Sequence, residues 1–231
     1  EYQDSISPNR HYDIRNINEL LDKVAYIREL TGKPVGVKTA IGGWHFMNEL
    51  CEAILRRGLD YAPDFLTIDG GEGGSGAAPQ TLMDHAGLPI AEALPRVIDS
   101  LIESDLKKRI RVIAAGKLVT SAHGAWALCV GADFINSARG FMFSLGCIQA
   151  MRCHLNTCPT GITTHNPRLQ HGLVVEEKYL RVANYAMNVN KEINMIAHSC
   201  GLKHAREFRR EHVRIVETAG KSIALNRLYP Y

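Results

Sequence analysis

The strongest constraint on the fold is the alternation of short apolar runs with longer segments of helical periodicity. The apolar runs are 34–38, 64–68, 111–115 and 133–136. Segments with apolar residues at helical intervals lie at 18–28, at 44–57, within 90–107 and up to 128. Strands covered on both faces read as near-continuous apolar runs, and helix-length segments between them are typical of parallel βαβ units. The sequence therefore predicts an α/β fold.

Two architectures share this alternation, an open doubly wound sheet and a (β/α)8 barrel. Polar or glycine-rich residues follow every predicted strand, and both architectures place functional sites at that edge of the sheet. If the fold is a barrel, the chain holds its last four βα units and the first four lie in residues not present here. A long helix at 176–198 and a short charged helix at about 205–213 are predicted to follow. We expect one domain, 1–231.

Composition excludes several function classes. The net charge is only +3 and no dense basic run occurs, which argues against nucleic-acid binding. No apolar stretch is long enough to span a bilayer, and the first residues lack the features of a signal peptide. We therefore expect a cytoplasmic protein without a membrane partner.

Cysteine spacing gives the most specific chemical signal. Cys147, Cys153 and Cys158 lie six and five residues apart, in a loop predicted at 145–165. Thiolates are the usual ligands of iron–sulfur clusters and of zinc. Three thiols supply one ligand for each iron of a 3Fe-4S cluster without a fourth cysteine. A zinc site with His154 as fourth ligand and a purely structural role as small buried side chains remain alternatives.

The residues around these cysteines resemble a known family. The segments 146–154 and 156–161 resemble the cluster-binding loop of the FMN-binding domain of the glutamate synthase large subunit. Segments 6–14, 37–38 and 72–79 resemble three further motifs of that family. The resemblance covers roughly residues 5–200. It implies the C-terminal half of a (β/α)8 barrel that binds FMN and a 3Fe-4S cluster.

The substrate site is predicted where the first two strands end. Lys38 closes an apolar strand, where a buried ammonium needs an anionic partner. The resemblance implies that this lysine contacts 2-oxoglutarate and the flavin, and we predict Lys38 and Glu72 as catalytic residues. Glycines let the backbone approach a ligand closely. The predicted cofactor-binding loop after the second strand comprises Gly70, Gly71, Gly73, Gly74 and Ser75.

The FMN phosphate is predicted to bind after the last two strands. If these are the seventh and eighth barrel strands, their loops form the usual phosphate site of this fold. The candidates are Gly116, Lys117, Arg139 and Gly140, and two ordinary surface turns are the alternative. Both loops, 114–120 and 136–140, depart from the family's sequence. The departures leave the substrate and the electron donor open.

The resemblance implies a reaction in which electrons pass through the cluster to FMN. Ammonia and 2-oxoglutarate give 2-iminoglutarate, whose reduction yields L-glutamate. The electron donor would be ferredoxin or an NAD(P)H-linked subunit, and a glutaminase subunit or domain would supply ammonia. Two alternatives stay open. One is a related FMN protein acting on another amino or keto acid, such as an N-methylated glutamate, and the other is a zinc-binding domain without redox activity.

Overall fold

The computed structural model describes residues 11–74 and 81–231. Its main sheet has four parallel strands in chain order, which are β1 (Gly36–Ala40), β2 (Phe65–Asp69), β3 (Arg111–Ala115) and β4 (Phe134–Ile135). The helices associated with them are α1 (Ile17–Thr31), α2 (His45–Arg57), α3 (Ile90–Glu103) and α4 (Ser121–Val130). Because strands and helices alternate and all strands of this sheet are parallel, the predicted α/β fold is confirmed.

The two faces of the sheet have different surroundings. Leu66 and Val112 occupy one face and lie at 0% exposure in the main hydrophobic core, together with buried side chains of α1 to α4. On the opposite face a row runs from Lys38 through Thr67 and Ile113 to Phe134. Phe134, at the end of that row, is 51% exposed. In a closed barrel this second face would be the interior.

Local sequence explains where the helices begin and end. The side chain of Asn16 accepts a hydrogen bond from the Glu19 backbone amide and caps α1. At the other end Gly32 adopts a φ of 62°, and its amide donates to the Arg28 carbonyl. The Thr120 side chain caps α4 in the same way by accepting from the His123 amide.

Two strand boundaries differ from the prediction. β1 lies two residues further along the chain than 34–38, so Lys38 is in the middle of the strand. Its last residues pair in register with β2, Thr39 with Ile68 and Ala40 with Asp69. β4 comprises only Phe134 and Ile135 of the predicted 133–136. Where each strand begins and ends depends on its pairing with a neighbouring strand. The apolar pattern of the sequence does not show that pairing.

The C-terminal region is partly predicted. The long helix is confirmed as α7 (Val175–Ser199), preceded by two short helices, α5 (Ala138–Ser144) and α6 (Pro167–Gln170). The predicted charged helix at 205–213 is wrong, because 3-10 turns occupy Ala205–Glu207 and Arg210–His212. An antiparallel hairpin of β5 (Arg214–Thr218) and β6 (Lys221–Ala224) and a last helical turn, α8 (Leu225–Leu228), complete the chain.

Arg210 is the physical reason why a helix does not continue through 205–213. This side chain is 5% exposed, and its Nη2 lies 2.6 Å from Asp99 Oδ1 on α3. It also donates to the carbonyls of Val130 at 3.1 Å and Tyr229 at 3.2 Å. A buried guanidinium requires such partners, and these long-range contacts fix the local backbone. Within 11–74 and 81–231, no helix has the length and apolarity needed to cross a membrane.

Candidate functional site

A cavity opens at the carboxyl ends of β1 and β2. Its volume is about 380 Å³, within the range of small-molecule sites. Lys38, Thr39 and Asp69 contribute its polar lining. The rest is lined by Ala40, Gly70, Gly71, Gly73, Leu82, Met83 and Ala86. The carboxyl edge of parallel strands is where α/β folds place ligands.

Lys38 has an anionic partner within the cavity. Its Nζ lies 2.8 Å from Asp69 Oδ2, while the lysine side chain is 63% exposed and that of Asp69 19%. The ammonium is therefore accessible, and β1 is an edge strand of the described sheet. Sequence reasoning missed Asp69, which directly follows the apolar run 64–68 and whose position at a strand end was an available signal. The pair offers one fixed cation and one fixed anion to a ligand.

Glycines of the loop allow close backbone packing at the cavity floor. The Gly70 amide donates to the Ala115 carbonyl at 3.0 Å, and a Cβ at Gly116 would lie 2.9 Å from the Gly70 nitrogen. A Cβ at Gly71 would lie 2.5 Å from the Gly87 carbonyl oxygen. Gly70 and Gly116 thus join the ends of β2 and β3.

The three remaining predicted loop residues, Gly73, Gly74 and Ser75, have different surroundings or lie outside the described residues. A Cβ at Gly73 would lie 2.3 Å from Asp69 Oδ1, so this glycine keeps the backbone beside the carboxylate. Gly74 is exposed and has a φ of 102°, a conformation that favours glycine. Ser75 lies outside the described residues.

The Glu72 carboxylate lies at the beginning of α3. Both of its carboxylate oxygens accept from the Ile90 backbone amide at 3.0 Å. Pro89, the residue before the helix, has no side-chain capping bond. The carboxylate therefore satisfies an amide that has no intrahelical acceptor and lies favourably in the helix dipole. Its role as a catalytic residue stays a prediction.

The two predicted phosphate cations converge on one segment. Lys117 Nζ lies 2.7 Å from Asp84 Oδ1, and Arg139 Nη2 lies 3.3 Å from Met83 Sδ. The lysine ammonium lowers the pKa of the Asp84 carboxyl below its ordinary value. Because Met83 also lines the cavity, the structure brings Lys117 and Arg139 to its border. Two cations beside a cavity suit a phosphate group.

Gly140 lies against a tyrosine of α7. A Cβ at this position would lie 1.7 Å from Tyr185 Oη, so only glycine allows this close approach. The Tyr185 hydroxyl donates to the Val119 carbonyl at 2.6 Å and lies 3.0 Å from Ser137 Oγ. Sequence reasoning missed Tyr185, because it is distant in the chain and lies within an ordinary helical pattern.

The three predicted metal ligands all lie in the loop between α5 and α6. Burial raises the pKa of the Cys158 thiol, but hydrogen bonds from the Thr160 hydroxyl and from the Thr163 and Thr160 backbone outweigh it and lower the pKa to about 6. Cys147 and Cys153 are half-buried free thiols. The chemistry of the donor set suits a thiolate-ligated group. In the described part of the chain, however, no three histidine, cysteine or acidic side chains are gathered closely enough to hold a metal ion.

Comparison with protein families places most of the chain in one of them. The model described as a conserved region in glutamate synthase matches residues 1–203. A glutamate synthase large subunit-like protein of Bacillus subtilis, YerD, is 43% identical over 223 residues, which cover 96% of this chain and 42% of YerD. The archaeal glutamate synthase [NADPH] of Methanocaldococcus jannaschii is 35% identical, over 90% of this chain and 40% of that protein.

Comparison with solved structures supports a barrel-type α/β fold. A mutant flavocytochrome b2 with pyruvate bound superposes with a TM-score of 0.50 at 14% sequence identity, over 82% of this chain and 36% of that one. Together with the four parallel strands, this likeness supports a partial TIM barrel. The chain spans about two fifths of the curated relatives named above.

Proposed function

Because this chain belongs to the glutamate synthase family, we propose that it carries the FMN- and substrate-binding part of a glutamate-synthase-like oxidoreductase. The proposed reaction is the reductive amination of 2-oxoglutarate to L-glutamate. The observation that carries the proposal is the cavity at the carboxyl ends of β1 and β2, with Lys38 exposed in it and Lys117 and Arg139 at its border.

Lys38 is proposed to bind a carboxylate of the keto acid. Its ammonium is already held by Asp69 at 2.8 Å, so the charge is oriented before substrate arrives. A preoriented cation stabilises negative charge without the cost of reorganising solvent. The ion pair with Asp69 holds the lysine side chain within the cavity lining. Condensation of ammonia with the keto group gives 2-iminoglutarate, which needs a hydride and a proton to become glutamate.

FMN is proposed to bind along the border of the same cavity. When bound, it would supply the hydride for the imine carbon. Lys117 and Arg139 are proposed to hold its phosphate, with Gly116 and the glycines of the 70–74 loop allowing the backbone to approach. The Lys117 ammonium is paired with the Asp84 carboxylate in this structure. In the proposed arrangement, the phosphate would replace Asp84 as the partner of Lys117.

A 3Fe-4S cluster bound by Cys147, Cys153 and Cys158 is proposed as the entry point of electrons. Three thiols in one short loop and the lowered pKa of Cys158 support it. The thiols would have to move together when a cluster binds, because metal ligation commonly completes the folding of a loop. Ferredoxin or an NAD(P)H-linked subunit as donor, and a glutaminase as ammonia source, belong to the same proposal.

The keto-acid site is tested with the full chain purified anaerobically. We expect flavin absorption bands, and flavin reoxidation when 2-oxoglutarate and ammonia are added to the reduced protein. K38M should raise the 2-oxoglutarate concentration for half-maximal reoxidation at least tenfold, because a charge-assisted contact is lost. K33M, at an exposed lysine just before β1, is the matched control. Flavin reoxidation by the imino precursor of an N-methylated glutamate, without reoxidation by 2-oxoglutarate and ammonia, would favour the alternative substrate.

The cluster is tested by metal analysis. C153A should remove iron and acid-labile sulfide together, whereas C200S, at an exposed cysteine after α7, should leave both unchanged. Stoichiometric iron retained in C153A would contradict the ligand assignment. Zinc without iron or flavin in the unchanged protein would favour the zinc-binding domain instead.

A further inference from the structure

The Tyr185 hydroxyl joins two loops that are far apart in sequence. Val119 belongs to the loop between β3 and α4, and Ser137 to the loop between β4 and α5. Tyr185, on α7, contacts both, at 2.6 Å and 3.0 Å. Lys117 lies in the first of these loops, and Arg139 is the second residue of α5, directly after the other loop.

The direction of each hydrogen bond follows from the chemistry of the groups. A carbonyl oxygen only accepts, so the single Tyr185 hydroxyl proton is donated to Val119. Ser137 Oγ must therefore donate its own proton to Tyr185 Oη. This uses the only proton of the Ser137 hydroxyl, which consequently has none left for a phosphate oxygen.

The tyrosine ring is itself held in place. Its ring centroid lies 4.9 Å from that of Phe141 at an interplanar angle of 85°, an edge-on arrangement. On its other side Gly140 leaves room for the hydroxyl. The ring cannot turn away without losing both loop contacts, so α7 sets the separation of the two loops.

We propose that Tyr185 is a positioning residue for a phosphate-bearing ligand, because it fixes the spacing between the loop of Lys117 and the start of α5, where Arg139 lies. The inference rests on the proposed function, in which that ligand is FMN. Tyr185 acts through the Val119 carbonyl and the Ser137 hydroxyl, and its own hydroxyl proton is already donated to Val119. It should therefore affect the recognition of the phosphate more than that of the isoalloxazine ring.

The test compares FMN with riboflavin, which lacks only the phosphate. We expect Y185F in the full chain to bind FMN about tenfold more weakly, the size of effect expected when a hydrogen-bonded network loses one hydroxyl. Riboflavin affinity should change by less than about twofold, so the FMN preference falls. Y179F is the matched control, since Tyr179 lies on the same helix and is 59% exposed.

A second measurement does not depend on flavin. In Y185F, and not in Y179F, amide hydrogen exchange should accelerate in both 116–120 and 137–140. An unchanged FMN preference in Y185F, when the unchanged chain binds FMN, would overturn the positioning role alone. Failure of the unchanged chain to bind FMN would overturn the proposed function. Hydrogen exchange that is unaltered in both segments would show that Tyr185 does not hold the two loops in place.

Discussion

At the scale of single residues, the glycines predicted to surround a ligand have contacts that the sequence does not show. Gly116 packs on the backbone of Gly70, and Gly140 packs beneath Tyr185. In both places the side chain is absent because another part of the protein occupies its position. A glycine after a strand therefore has two explanations, ligand approach and close packing, and only contacts distinguish them.

Replacing Gly140 by alanine should destabilise the fold by about 1–3 kcal/mol, because an inserted methyl would overlap Tyr185 Oη and force a shift in a packed site. G42A is the control, since a Cβ there meets nothing within 4 Å. Urea unfolding of both variants measures the difference. Equal midpoints for G140A and G42A would contradict the packing described.

Asp133 should make stability depend on pH. Burial raises the pKa of its carboxyl, but the Lys107 ammonium, the Val112 amide and Arg111 outweigh that and lower the pKa below its ordinary 3.8. Since the folded pKa is below the unfolded one, the stabilisation is present above about pH 4 and is lost as pH falls through the folded pKa.

D133N should therefore lower the free energy of unfolding at pH 7 by about 2 kcal/mol, because hydrogen bonds to a charged group are lost. The difference from the unchanged protein should shrink below pH 4. D105N is a suitable control, since Asp105 is exposed and its φ of 53° is one that asparagine tolerates. A difference that stays constant down to pH 2 would show that the charge is not responsible.

At the scale of elements, a helix can be completed by a residue from outside it. Glu72 lies 18 positions before Ile90 and accepts from the first amide of α3. The periodicity of 90–107 predicts the helix, but it does not identify this distant cap. A glutamate beside a glycine-rich loop therefore has a structural explanation as well as a catalytic one.

E72Q separates these explanations. Loss of charge at the start of α3 should lower the free energy of unfolding by about 0.5–1 kcal/mol at low salt and by less at high salt. E92Q controls for charge in the first turn, where Glu92 is paired with Arg96 at 3.6 Å. Unchanged stability of E72Q combined with abolished flavin reoxidation would instead assign Glu72 to catalysis.

The C-terminal elements also show that local sequence patterns do not predict long-range packing. The alternating residues of β5 and β6 and the Ala219-Gly220 turn, with a φ of 78° at Gly220, were local signals for a hairpin. Arg210 and Phe208 supplied a competing helical pattern. Their burial against α3 and α4, at 5% and 4% exposure, comes from long-range packing.

At the scale of the whole molecule, one face of the four-stranded sheet is covered by helices, and the other is exposed at both ends of its row although Thr67 in the middle is 5% exposed. Helices pack on the face of Leu66 and Val112, while Phe134 and Lys38 on the other are exposed. A barrel of eight strands would enclose that second face and pair both edge strands. We propose that a further set of strands completes the barrel around it.

The exposed end of the second sheet face, at Phe134, should bind a hydrophobic dye. F134S should reduce the fluorescence of 8-anilinonaphthalene-1-sulfonate bound to the chain and reduce its self-association at high concentration, because an exposed aromatic side chain is removed. V216S is the control, since Val216 on the hairpin is 74% exposed. Fluorescence that falls equally in the two variants would show that the dye does not report on the sheet face.

Four features could be predicted from the amino-acid sequence: the α/β class, the four parallel βα units, the long helix α7 and the motifs after each strand. These follow from periodicity and from residue type, which are local properties of the chain. Lys38, the glycine-rich loop, Lys117 and Arg139 were predicted from these local properties together with a resemblance to a known family.

The tertiary structure alone decided which of these residues meet. It paired Lys38 with Asp69, brought Lys117 and Arg139 to Met83 and Asp84, assigned Glu72 to α3 and placed Tyr185 between two loops. Each contact joins residues far apart in sequence, and its existence depends on how strands pair and helices pack. No local pattern encodes such distances, because packing is a property of the whole chain.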